Sequence, residues 1–407
     1  MSMRTVVIGG GVAGIAAALA LRGIGADVTV YEAHEDPAGD VGSFVSLATN
    51  GLRGLDALGC LDRVQAAGAD IPRQRMWSAG GRLLADVPRG RRGSDTLHSV
   101  TLMRGRLVAA LREAAVAAGA RIVTGERFVG VTETPDGVIA EFDGGERDFA
   151  ELLVAADGIW SAVRGLLDPA APRPEYAGLY AVSGVSTVEG IDPGTFNMTF
   201  ARNGAFIHLA AGDGEVWWQA QIADAVAPDR AGVSDADWLR RTAELYRAET
   251  MPSRIIAATT RLHPAVIFHA VDPVPTWHSD RVVLLGDAAH PVGAGQGASM
   301  AIEDAIVLAA ALRAKPTIPA ALKAYDDERR PRIVKLLGAA EDNRGVKRAG
   351  PFKRRLQAVI MRLFLPLVYE RATAWLYDYT PGLAGRSTAS ARQAFGQRHR
   401  GATARTR

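Results

Sequence analysis

Cysteine is all but missing from this 407-residue chain, with Cys60 its single representative. One thiol makes no disulfide framework, no redox pair and no zinc knuckle, so stability must come from an apolar core and chemistry from other groups. Aromatic residues are few, at 6%, and lysine is rarer still, at five against 42 arginines. Long apolar runs are absent as well. The longest, residues 6–21, is broken by Gly9, Gly10, Gly11 and Gly14 and is shorter than the roughly 20 residues a bilayer requires. With Arg4 its lone positive flank it does not read as a signal peptide, and an untargeted cytoplasmic protein is expected. No segment repeats with a period of roughly 20 to 50 residues, which excludes solenoids and propellers. Nor does the body carry an excess of positive charge. The net charge is +3, but residues 386–407 hold six arginines and no acid, leaving the remainder at −3. A basic nucleic-acid-binding face is therefore not expected.

What is present is a core-forming composition, 48% hydrophobic and 22% charged, long enough for two or three folded domains. Residues 4–8 read as a short buried strand, 12–22 as an alanine-rich helix and 27–32 as a second strand, a β–α–β opening. Strand and turn follow over 74–87 with a hairpin at Gly80-Gly81, then a helix over 103–118 stopped by Gly119, then strands at 121–124, 129–133, 138–142 and 152–156. Alternation at 180–188, 196–201, 205–210 and 215–222 predicts an antiparallel sheet with one helix, 234–247, behind it. A buried strand at 281–285 and a long helix at 298–314 return to the opening pattern. The economical arrangement is α/β. A Rossmann-like domain (1–72, 98–171, 278–349) is interleaved with a smaller mixed or antiparallel sheet domain for substrate (73–97, 172–277). C-terminal helices (350–385) and a basic tail too polar to dock firmly (386–407) complete the chain.

The run Val6-Val7-Ile8-Gly9-Gly10-Gly11-Val12-Ala13-Gly14 sets G-x-G-x-x-G between a strand and a helix. Gly9 allows the tight turn, Gly11 lets a pyrophosphate approach the backbone where Val12 and Ala13 open the helix, and Gly14 lets helix and strand pack closely. Glu32 ends the second strand, where a carboxylate accepts hydrogen bonds from an adenosine ribose. Strand, turn, helix and acid together point to a dinucleotide.

Two later segments decide which one. The first runs from Leu152 through Asp157-Gly158 to Arg164. The second runs from Val282 through Gly286-Asp287-Ala288-Ala289-His290 and Gly295-Gln296-Gly297 to Glu303-Asp304. With Arg104 in Met103-Arg104-Gly105, these motifs make the chain resemble the FAD-dependent aromatic-ring hydroxylases, single-component flavoprotein monooxygenases of the p-hydroxybenzoate hydroxylase type, over about residues 3–335. The resemblance implies FAD as cofactor, NADPH or NADH as transient electron donor, and O2 as co-substrate. It also implies a C4a-hydroperoxyflavin that hydroxylates or epoxidises an electron-rich aromatic or polycyclic small molecule. By the same resemblance Arg104 contacts FAD, and Asp157-Gly158 touches both the flavin region and the nicotinamide donor. The residues are chemically suited to this. Asp287, after a buried strand and Gly286, can accept a hydrogen bond from a ribityl hydroxyl. Gly295, Gln296, Gly297 and Ala298 lead into a helix whose amides can stabilise a reduced flavin. With no His or Cys in the glycine turn, FAD is expected to be non-covalent. One departure from the family is the loop of Pro291, Val292, Gly293 and Ala294, about two residues short at the oxygen-reacting edge.

The substrate side is less specified. His208 on one strand and Trp217, Trp218 and Gln219 on the next are candidates to face the flavin, and the two tryptophans must point to opposite faces. His263 and His269 lack metal-ligand spacing, no metal is expected, and no side chain is assigned as a catalytic base. Two other functions remain open on these residues. One is a dehydrogenase or oxidase on the same fold. The other is a peripheral membrane protein with structural FAD, suggested by basic and apolar residues at near-helical spacing over 352–369, where a helix packed on the FAD domain is the ordinary reading. Membrane association is accordingly not expected.

Overall fold

The computed structural model describes residues 2–36, 43–212, 214–292, 295–347 and 368–381. Its first sheet has five strands in the order Val282–Leu284, Leu152–Ala155, Arg4–Ile8, Asp27–Glu32, Arg121–Thr124, every neighbouring pair parallel. Val6, Val7 and all of Leu152–Ala155 are fully buried, as strands covered on both faces must be. On one face lies the helix Val12–Gly23, flanked by the helices Arg104–Ala117 and Gly297–Ala314. Its alanines, Ala16, Ala17, Ala18 and Ala20, let the neighbouring backbones approach closely. The other face is covered by an antiparallel meander of Phe128–Glu133, Val138–Phe142 and Arg147–Ala150. Tyr31 stacks on Phe142 at 4.1 Å and donates to Asp148, tying sheet to meander.

The second sheet has seven strands, in the order Thr259–Ala270, Glu175–Thr187, Glu215–Ala223, Gly204–Gly212, Thr195–Ala201, Arg73–Ser78, Leu83–Pro88. All pairs are antiparallel except Thr195–Ala201 with Arg73–Ser78. The early hairpin, turned at Gly81 with φ +75°, thus completes a sheet built mostly 100 residues later in the chain. Thr259–Ala270 was not foreseen as a strand, because Pro264 interrupts its pattern; as the outermost strand it tolerates a residue without an N–H. One face packs Trp218, Phe206 and Tyr180 under the helices Asp235–Leu245 and Thr250–Ala257. The other packs Trp217, Ile207, Leu209 and Phe196 against Phe44 and Met103, which flank the first sheet's helices.

Beneath the end of the first sheet lies a charge network with no access to water. Glu303, Asp304 and Arg329 are each 0% exposed. Arg329 donates from Nε to Asp304 Oδ1 and from Nη1 to Glu303 Oε2, both at 2.6 Å. Arg332 donates twice to Glu303 at 2.8 Å, and Asn50 Nδ2 once at 2.7 Å. Asp304 Oδ2 accepts from the Gly286 amide at 3.0 Å and meets His290 Nε2 at 2.6 Å. The network therefore ties the helix Gly297–Ala314 to the helix Ile318–Lys347 and to the loop after Val282–Leu284. Of the basic and apolar stretch 352–369 only residues 368 and 369 are described, and the tail 386–407 lies outside the described residues. Among the described residues no helix is long and apolar enough to cross a membrane.

Burial alone would raise the carboxyl of Asp304, but His290 and Arg329 outweigh it and hold it at about 2 against an ordinary 3.8. Because the folded value lies below the unfolded one, this stabilisation is complete above about pH 4 and is lost as pH falls toward 2. Asp304→Asn is expected to cost about 3 to 5 kcal/mol at neutral pH, since it leaves Arg329 half-paired in a dry site. Urea unfolding at pH 7 and pH 3 should show the variant's deficit shrinking in acid.

Candidate active site

A parallel sheet brings the carboxyl ends of its strands to one edge, and the predicted cofactor residues gather there. Gly9 to Gly11 follow Arg4–Ile8, Glu32 ends Asp27–Glu32, Asp157 follows Leu152–Ala155, and Gly286 and Asp287 follow Val282–Leu284. The glycines have distinct reasons. Gly9 has φ +104°, and a Cβ there would stand 2.4 Å from the Ala156 carbonyl oxygen. A Cβ on Gly14 would stand 1.9 Å from the Gly9 carbonyl oxygen, so this glycine lets the helix seat on the turn. Gly11, the residue before Val12, differs: a Cβ there would meet only Arg104 Nη2, at an ordinary 3.8 Å. Nothing in the protein demands a glycine at that position.

Glu32 is buried, and its Oε2 accepts from the Gly10 amide at 2.7 Å while its Oε1 accepts from the His34 amide at 2.9 Å. Burial pushes its carboxyl up, yet these hydrogen bonds prevail and hold it below the ordinary value, so it stays an ionised acceptor. Asp157 shows the opposite balance. Burial raises its carboxyl against hydrogen bonds from Ser161 and Val163, and its buried Oδ1 has no partner. Asp287 is exposed, but the protein mass around it raises its carboxyl, opposed by His290 and Arg104.

Gly286, φ +61°, packs against the first helix, where its Cβ would come within 2.9 Å of the Ala13 Cβ. The helix begins at Gly297, one residue earlier than expected, with Gln296 before it and Ala298 against the core. Gln296 Oε1 is buried without a partner, and a Cβ on Gly297 would lie 3.5 Å from Asp287 Oδ1. Gly295 has φ +77° and open space around it. Pro291 and Val292 are described, whereas Gly293 and Ala294 of the short loop lie outside the described residues. Arg164, which could have been an ordinary surface arginine, is 3% exposed and donates to the Ala288 and Ile159 carbonyls at 3.0 and 2.6 Å. It ties the Asp157 loop to the Asp287 loop.

A family model described as an FAD binding domain matches residues 2–340. The chain belongs to this family, the FAD-dependent aromatic hydroxylases. It is similar to an aurachin C monooxygenase/isomerase of Stigmatella aurantiaca, with 32% identity over 79% of this chain and 84% of the relative. It is likewise 31% identical to an FAD-dependent urate hydroxylase of Klebsiella pneumoniae, over 81% of this chain and 87% of that one. Among solved structures, Klebsiella pneumoniae HpxO complexed with FAD and uric acid shares the fold. Its TM-score is 0.80 at 24% identity, covering 92% of this chain and 96% of that one. A salicylate hydroxylase substrate complex does so with a TM-score of 0.77 at 22% identity, covering 97% and 98%.

In this FAD-dependent hydroxylase the substrate candidates divide between two faces of the seven-stranded sheet. Trp217 stacks on Phe44 at 6.3 Å, and Gln219 donates to Ser43 at 3.4 Å, so both look toward the first sheet. His208 and Trp218 pair directly across neighbouring strands, and Trp218 stacks on Phe206 at 5.7 Å under the helices of the far face. Both are thus removed from the cleft side, because a strand turns alternate side chains apart and only Trp217 shares parity with Gln219. His208 is a buried neutral imidazole there, its pKa pushed down to about 4 by desolvation. Sequence reasoning missed Gln221, which donates to Gln219 at 2.9 Å on the cleft side; its alternation with Gln219 was the available signal.

The glycine geometry separates two variants. Gly14→Ala is expected to destabilise the protein by about 1 to 3 kcal/mol through overpacking, whereas Gly11→Ala should melt within about 0.5 kcal/mol of the parent. Thermal unfolding of flavin-free protein is the measurement.

Proposed function

We propose that this chain is an NADPH- or NADH-dependent FAD monooxygenase that inserts one atom of O2 into an electron-rich aromatic or polycyclic small molecule. Two interleaved units carry the work: the parallel-sheet domain for FAD and the seven-stranded sheet for substrate. One observation carries the cofactor assignment: Gly11, a glycine the protein does not itself require, follows the first strand of the parallel sheet, and among the residues assembled around that sheet's carboxyl end Asp157 and Gln296 keep unpartnered buried oxygens. Orphaned acceptors and a side-chain-free approach suit a ligand rich in hydroxyls and phosphates. Gly9, Gly11, Val12, Ala13 and Gly14 would receive the pyrophosphate and Glu32 the adenosine ribose. Arg104, Asp157, Gly286 and Asp287 would border the ribityl chain, and Gly295, Gln296, Gly297 and Ala298 the ring.

FAD, once bound and reduced, supplies the electron transfer and oxygen chemistry. The chain's own tasks are positional. Glu32, held ionised, would accept hydrogen bonds from the ribose hydroxyls. The amides at the start of the helix Gly297–Ala314 and its dipole favour negative charge on whatever lies before them. Trp217, Ile207 and Phe196 wall the site with apolar surface and exclude water, while Gln219 and Gln221 offer amides to orient a polar substituent. The sequence carries one glycine fingerprint of this kind, so the nicotinamide donor would visit and leave rather than occupy a domain of its own.

The purified protein is expected to hold about one non-covalent FAD per chain. Gly11→Val should abolish binding without unfolding the protein, and Glu32→Ala should weaken it by about 1 to 3 kcal/mol. Flavin absorbance per chain after reconstitution checks both. With a substrate present, NAD(P)H oxidation should accelerate and the product should carry one atom from 18O2, read by mass spectrometry. Recovery of all labelled oxygen as peroxide or water would instead assign a dehydrogenase or oxidase.

A further inference from the structure

Most of the acceptor capacity of Glu32, the carboxylate assigned above to the adenosine ribose, is already committed within the protein. An ionised carboxylate accepts about four hydrogen bonds, two at each oxygen. Oε2 takes the Gly10 amide at 2.7 Å. Oε1 takes two donors from one residue, the His34 amide at 2.9 Å and the His34 ring Nδ1 at 2.7 Å. Because Glu32 is held ionised and can only accept, Nδ1 carries a proton in this contact, in the neutral ring and in the imidazolium alike. One place is left, on Oε2. A ribose presents two neighbouring hydroxyls, and the carboxylate cannot accept both while the ring stays.

The two partners differ in their freedom to move. Glu32 is fixed at the end of Asp27–Glu32, between Arg4–Ile8 and Arg121–Thr124, and its side chain is 10% exposed. The His34 side chain lies beyond the strand and is 75% exposed, and its ring has no other hydrogen-bond partner among the described residues. Turning the ring into water breaks one surface contact and leaves the His34 amide in place. The charged groups on the neighbouring segments are Glu35 and Asp36, Arg112 of the helix Arg104–Ala117 at 3.7 Å from Asp36, and Glu126, whose amide donates to the Glu32 carbonyl at 3.0 Å. Imidazoles gain a proton between about pH 8 and pH 5. A protonated ring adds charge attraction to its hydrogen bond with Glu32, so the contact that must break is stronger in acid.

We propose that His34 competes with the cofactor for Glu32: its ring holds a place on the carboxylate that the ribose needs, and it must swing into solvent before FAD is held by both hydroxyls. This rests on the reading of Glu32 as the ribose acceptor. The test is FAD affinity, not turnover. Holoenzyme of the full chain would be diluted at pH 5.5 and at pH 8.5, and the released flavin separated by ultrafiltration and read by fluorescence. His34→Ala, which keeps the backbone amide, should hold FAD about 2- to 5-fold more tightly than the parent at pH 5.5, and by a smaller factor at pH 8.5. His34→Asn, which keeps a neutral donor on a short side chain, should lie between the two at pH 5.5. Asp157 and Asp287, whose carboxyls are raised by burial, add a pH dependence that all three proteins share, so the ratio between them isolates the ring. Weaker binding in His34→Ala would make the ring a support for Glu32 or for the cofactor and overturn the proposal, as would equal affinities or an advantage that does not shrink as pH rises. Glu32→Ala separates the two readings. Weakened binding there, with no gain in His34→Ala, overturns the competition alone, whereas unchanged binding in Glu32→Ala overturns the ribose assignment and the competition with it.

Discussion

Two carboxylates shut away from water, Glu303 and Asp304, set the terms for the rest of the molecule. Each must be neutralised where it stands, because an unpaired charge in a dry interior costs several kcal/mol. The compensation comes from elements distant in sequence: Arg329 and Arg332 from the helix Ile318–Lys347, Asn50 from the helix Thr49–Ala57, and His290 and the Gly286 amide from the cleft loop. Satisfying two acids thereby fixes four segments relative to one another. An apolar contact of equal area would tolerate sliding; a set of hydrogen bonds with fixed lengths does not. The carboxyl ends of Val282–Leu284 and Leu152–Ala155 are held in turn, since Arg164 spans their two loops. The open edge with Gly11, Asp157 and Asp287 is rigid for this reason, and preorganisation of that kind lets a cofactor bind without paying to order its own site.

The parts legible in the sequence were those whose reasons are local. Gly9 and Gly14 are required by contacts within one turn and helix, and Glu32 by the end of the strand paired beside them, so spacing alone exposes them. The α/β class and the helices follow from runs of alanine and buried strands. Sheet membership was harder. That Arg73–Ser78 lies beside Thr195–Ala201 in parallel depends on an encounter across the domain, and Pro264 concealed an edge strand that only the finished sheet explains. On the substrate side the alternation was read correctly for Trp217 and Trp218, but alternation says which residues oppose each other and not which face meets the cofactor. His208 could not be sorted without its cross-strand partner. Arg329, Arg332 and Asn50 carried no signal, because a buried pair is visible only when both members are placed, and Asn50 and Glu303 are 253 residues apart.

The same accounting of partners connects the two sheets. Helical residues 368–377 receive Arg332 on the carbonyls of Trp375 and Leu376, both at 2.8 Å, and Thr49 on the carbonyl of Tyr377 at 3.2 Å. These are the last carbonyls of the helix, where orphan acceptors and the negative dipole end favour a cation. From its other side the segment sends Tyr369 and Tyr377 toward Arg89. Arg332 thus answers Glu303 on one hand and seats a helix on the other, and that helix supplies the phenols near the half-buried Arg89 guanidinium. A phenol can donate to an anion but cannot neutralise a guanidinium at neutral pH. One pair of buried acids, through Arg332 and the helical residues 368–377, thus reaches from the edge of the parallel sheet to the surroundings of a cation beside the seven-stranded sheet.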